Sequence, residues 1–178
     1  MFRFKNIFLL SVVFIIASCG GGGGGTGGDY STTSTGCSPS ASNICVTVAS
    51  SGGSNKYFLQ NSSSAATVTP TLTLSAGTYI FDQSDSSNST HQIKFSITSN
   101  GTHNSGTAYT GNVTIAGSPG SSGAKTTIVV SSSTPATLYY YCLNHSGMGG
   151  TINITGGTET YSATGELPEQ VKTVESGN

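Results

Sequence analysis

Charge is the scarcest property of this 178-residue chain: Asp, Glu, Lys and Arg together make up 7%, against about 25% in an ordinary soluble domain. Two of the six basic residues, Arg3 and Lys5, sit in the first five positions, and the other four are scattered. No basic cluster exists to neutralise a run of phosphates, which excludes nucleic-acid binding as a main role. Tryptophan is absent, and three histidines, two methionines and four cysteines leave few groups able to do chemistry. Paired carboxylates for acid/base catalysis are lacking too, because Asp82 and Asp85 are the only acids between residues 44 and 156. No window of helical length combines a 3.6-residue apolar period with good helix formers, so helical architectures are not expected.

Hydroxyls and glycine are abundant instead. Ser and Thr fill 56 positions and Gly 25, so polarity is carried by neutral side chains. Eight Tyr and seven Phe, with many Val, Ile and Thr, supply the residues that favour strands and argue against overall disorder.

The amino end carries two positive charges in residues 1–5 and an almost wholly apolar run over 7–16. That run is too short to span a bilayer and reads as a signal-peptide core. Ile16-Ala17-Ser18-Cys19 closes the segment and resembles the bacterial lipobox. The resemblance implies removal of residues 1–18 and acylation of Cys19 as a membrane anchor. Gly20 rather than Asp follows the cysteine, so it also implies an outer-membrane location, on the periplasmic face or at the cell surface. The alternative is an ordinary secretory signal with an incidental cysteine.

Residues 19–43 read as a Gly/Ser/Thr-rich tether. At its end Cys37 and Cys45 stand eight apart; in an exported chain such a pair is expected to be a disulfide, two free thiols being the other reading. Residues 157–178 hold four of the seven acids, lack strand periodicity and are expected to form a disordered tail.

Between 44 and 156 the chain is a series of short alternating or β-branched runs separated by Gly, Asn, Ser and Pro, the pattern of an all-β sandwich or barrel. Strands are expected at 44–48, 56–60, 71–74, 78–82, 92–98, 112–116, 125–130, 137–142 and 151–155. Alternation also places candidate ligands. His91 shares parity with Ile93, Phe95 and Ile97, and Cys142 with Leu138 and Tyr140, so both face inward at strand ends. The neighbouring Tyr139–Tyr141 run is expected to pack on both faces of its sheet.

With Cys19 assigned to lipid and Cys37 and Cys45 to each other, Cys142 is an odd thiol that needs an explanation. His145 follows three residues later and Met148 three further on, between glycines. Strand, tight loop and strand bring thiol, imidazole and thioether together. His91 from a neighbouring strand completes two His, one Cys and a weak axial Met, the set used by trigonal blue-copper sites. Taken singly, Cys142 reads equally as an inert buried thiol, His91 as a hydrogen-bonded strand residue and Met148 as packing. His103 is expected to be a solvated loop residue.

Tyr141-Cys142-Leu143-Asn144-His145-Ser146-Gly147-Met148, with His91-Gln92-Ile93-Lys94-Phe95 upstream, resembles the cupredoxins, the plastocyanin, azurin and amicyanin family. The loop has the short amicyanin-like spacing, and the likeness covers residues 44–156. It implies a cupredoxin-like Greek-key β-sandwich holding one copper ion, Cu(I)/Cu(II), on His91, Cys142, His145 and Met148. It further implies electron transfer with redox partner proteins by a protein, expected to be a monomer, that is not an enzyme. Gln92 departs from the Asn or Asp of many members, and Asn88 and Ser89 are the nearby groups able to take that part. A surface structural or adhesion module, with copper absent or only a staple, is the alternative from another class.

Overall fold

The computed structural model describes residues 36–158; the leader, Cys19, most of the tether and the tail from 159 lie outside the described residues. Ten strands run in order: β1 (Asn43–Ser51), β2 (Ser54–Gln60), β3 (Thr67–Val68), β4 (Leu72–Leu74), β5 (Gly77–Asp82), β6 (Ile93–Ser96), β7 (Val113–Ala116), β8 (Lys125–Val130), β9 (Thr137–Cys142) and β10 (Gly150–Ile154). Short 3-10 turns occupy Ser86–Asn88 and Gly101–Asn104. One sheet has the order β3-β2-β1-β5-β8-β7 and the other β4-β10-β9-β6. Pairing is antiparallel except where β1 meets β5 and β10 meets β4.

Alternation turns one face of each sheet inward. Ile44, Val46, Phe81, Ile128 and Val130 from the first sheet meet Leu74, Ile93, Phe95, Leu138, Tyr140 and Ile152 from the second in one buried cluster. Each such side chain contributes about 1.5–3 kcal/mol on burial, so the domain is an all-β sandwich held by an apolar filling rather than by its few charges.

Every expected run carries a strand; β8 and β9 have the expected bounds, and the others have shifted ends. β1 continues to Ser51, and β3 and the two 3-10 turns were not legible. Ile97, expected inward, is 52% exposed. The period breaks because β6 ends at Ser96, whose hydroxyl donates to the Thr107 carbonyl at 2.8 Å and accepts from the Thr98 amide at 3.0 Å. Beyond the expected boundary at 156, Thr158 still bridges Pro135. It donates to the Thr134 carbonyl at 2.9 Å and accepts from the Ala136 amide at 2.7 Å.

Cys37 and Cys45 form the expected disulfide, Cα to Cα 5.8 Å, which fastens the segment before β1 to β1 itself. Among the described residues Cys142 is the free cysteine, fully buried.

Candidate metal centre

β9 runs between β10 and β6, so the backbone groups along both of its edges are paired. Leu138, Tyr140 and Cys142 belong to the interior cluster. Tyr141 is also fully buried, facing the Gly101–Asn104 turn, where His103 meets its ring edge-on at 6.2 Å. Gly101 has a left-handed φ of +52°, and a Cβ there would lie 2.4 Å from the Tyr141 ring. No larger residue fits.

The register fixes the centre. Ile93 on β6 pairs with Cys142 on β9, and the Leu143 amide adds a rung to the Gln92 carbonyl at 2.9 Å. His91, one residue further, therefore stands beside the end of β9. The chain then leaves the sheet in a loop that returns at β10. Gly149 lets it close: a Cβ there would lie 1.7 Å from the Tyr140 carbonyl oxygen.

The result brings together three of the four expected ligands. Cys142 Sγ lies 3.7 Å from His91 Nδ1 and 3.5 Å from His145 Nδ1, and the two imidazoles stand 4.5 Å apart between centroids. One ligand atom from each residue falls within 4.8 Å of the others, with His91 and Cys142 buried and His145 exposed. An ion bound at about 2.3 Å from sulfur and about 2.0 Å from nitrogen would separate those donors by roughly 3.5–3.7 Å, so the residues fit a single metal ion. Met148, 1% exposed, lies in the same buried cluster as Cys142, and its carbonyl accepts the Tyr57 amide at 3.1 Å.

Electrostatics suit neutral donors. Burial, and after it the neighbouring His145, lowers the His91 pKa below its ordinary value, leaving the imidazole neutral and able to ligate. Tyr57 is pushed the other way, far above the usual phenol range, first by burial and then by the Cys142 sulfur beside it. It remains a donor and gives its hydroxyl proton to the His91 carbonyl at 2.7 Å.

Several supporting residues escaped the sequence. Gln83, fully buried, donates to the same His91 carbonyl at 2.7 Å, while its side-chain oxygen accepts from the Ile93 backbone amide at 3.1 Å and the Gln92 side-chain amide at 2.8 Å. Asn88 does not take the part suggested for it: its amide donates to the carbonyls of Val46 and Asp85, at 2.7 and 3.2 Å. Asn100 accepts from the Gly147 amide and donates to the Ser146 hydroxyl, each at 2.8 Å, and the Lys56 ammonium donates to the Gly147 carbonyl. His103 is exposed as expected, yet its Nε2 lies 2.9 Å from the Cys142 carbonyl oxygen. Thr90, just before His91, has φ +67°; a left-handed β-branched residue costs about 1–2 kcal/mol. Compared with protein-family models, curated proteins and solved structures, the chain matches none.

Proposed function

We propose that the domain is a mononuclear blue-copper centre of the cupredoxin kind, which passes single electrons between partner proteins outside the cytoplasm while Cys19 anchors the chain to a membrane. The reading is carried by one observation: the imidazole Nδ1 atoms of His91 and His145 stand 3.7 and 3.5 Å from the Cys142 sulfur. Two imidazoles and one thiolate, with a buried thioether nearby, are the donor set that trigonal copper sites use. Copper, when bound, supplies the one-electron Cu(I)/Cu(II) couple.

The chain's own residues divide the remaining work. Cys142 would supply the thiolate when copper is bound, and His91, clamped through its carbonyl by Tyr57 and Gln83, would supply a fixed nitrogen. His145 is the exposed member, so its ring forms the edge that a redox partner reaches. Met148, buried in the same cluster as Cys142, would offer a weak thioether donor.

Addition of Cu(II) to metal-free protein should produce an intense visible thiolate-to-copper band, and Cys142→Ser should abolish it because the charge-transfer donor is gone. A wild type that stays colourless with Cu(II) returns the domain to the structural-module reading.

A further inference from the structure

The pair of residues that joins the two ligand-bearing segments is Asn144 and Thr90. The Asn144 side-chain amide donates to the Thr90 carbonyl at 2.7 Å across 54 residues of sequence. Asn144 stands immediately before His145 and two residues after Cys142; Thr90 stands immediately before His91. The backbone ladder between β6 and β9 has its last rung at Leu143 and Gln92. The Asn144 bond is the next rung, made by a side chain because the backbone has already curled into the loop.

We infer that Asn144 is a positioning residue of this centre: its amide donor holds the left-handed turn at Thr90 and thereby sets the His91 ring against the His145 ring. The inference rests on the metal-centre reading above. A β-branched residue with φ +67° relaxes toward extended backbone unless its neighbours over-determine it. The Thr90–His91 peptide is one plane: its His91 amide edge donates to the Asn88 carbonyl at 2.8 Å, its Thr90 carbonyl edge accepts from the exposed Asn144, and the next carbonyl, that of His91, accepts from Tyr57 and Gln83. The other half of the loop has separate anchors, since Asn100 and Lys56 hold Ser146 and Gly147. Loss of the Asn144 amide therefore leaves that plane held at one edge only, which loosens the relation between the two rings without releasing the whole loop.

The test needs no metal. In metal-free protein with labelled imidazoles, rings with centroids 4.5 Å apart give a direct nuclear Overhauser contact between His91 and His145. Asn144→Asp, equal in size but without the N–H donor, and Asn144→Ala should each weaken that contact more than twofold while the thermal midpoint stays within a few degrees. Adding Thr90→Gly, which accepts the left-handed φ without strain, should restore it. In copper-loaded protein, Asn144→Ala should shift the thiolate-to-copper band and Thr90→Gly should bring it back. An undiminished Overhauser contact in both Asn144 variants overturns the inference, and so does a weakened contact that Thr90→Gly leaves weakened. A colourless wild type would remove the copper reading alone, because the ring-to-ring arm is independent of it.

Discussion

At the residue scale the centre separates donors from supports. His91, Cys142 and His145 carry their identity in side-chain chemistry, and strand parity with a three-residue spacing was enough to bring them together on paper. Tyr57 and Gln83 were not legible, because a buried phenol or amide can donate to any carbonyl that tertiary packing delivers; three consecutive buried residues, Tyr57 to Leu59, erase the alternation that would have marked Tyr57. Met148 tests the axial assignment. It is 1% exposed, and glutamine of similar length would offer a harder oxygen donor at that position, which favours Cu(II) over Cu(I). Met148→Gln should therefore lower the reduction potential while the thiolate band survives with altered intensity, as protein film voltammetry and visible spectroscopy would read. An unchanged potential in a blue protein would take Met148 out of the site.

At the scale of elements, β9 is the organising strand. Its TLYYYC sequence is mostly β-branched or aromatic, which suits a central strand, and both the core and the thiol depend on its parity. What parity missed lies where side chains replace backbone pairing. Ser96 ends β6 with its hydroxyl, and Asn100, in left-handed conformation with φ +61°, ties a turn to the metal loop. The disulfide shows the opposite case, a link readable from spacing and compartment alone. Cys37 and Cys45 close a loop of eight residues' separation, and on the chain-entropy model such a crosslink stabilises by roughly 2–3 kcal/mol. Replacing both cysteines by Ala should lower the urea midpoint by the equivalent of at least that amount, with the lost packing of Cys45, 2% exposed, added to it. Thiol labelling of the unreduced, unfolded and metal-free mature protein should find Cys142 reactive and this pair silent; reactivity at all three would refute the link.

For the molecule as a whole, we propose a compartment outside the cytoplasm, which the cysteines suit. A disulfide between Cys37 and Cys45 beside a free, buried Cys142 suits an oxidising environment in which one thiol is kept for another purpose. Scarce charge points the same way: with 7% charged residues the chain has little long-range field to steer a partner, and steering by charge is what raises association rates between freely diffusing proteins. Tethering to a surface offers another route to frequent encounters, because it raises the local concentration of a partner held on the same surface. The lipobox-like Ile16-Ala17-Ser18-Cys19 supplies that tether in our reading, and a diacylated cysteine carries two chains, the number needed for stable anchoring. Cys19→Ala should therefore move the protein from the membrane fraction to the soluble one, while the visible band with Cu(II) stays unchanged because residue 19 is not among the proposed ligands. Mass spectrometry of the wild type should find an acylated N-terminus at Cys19. A soluble wild type, or an unmodified N-terminus elsewhere, would detach the anchor from the proposal and leave the metal centre to be judged on His91, Cys142 and His145 alone.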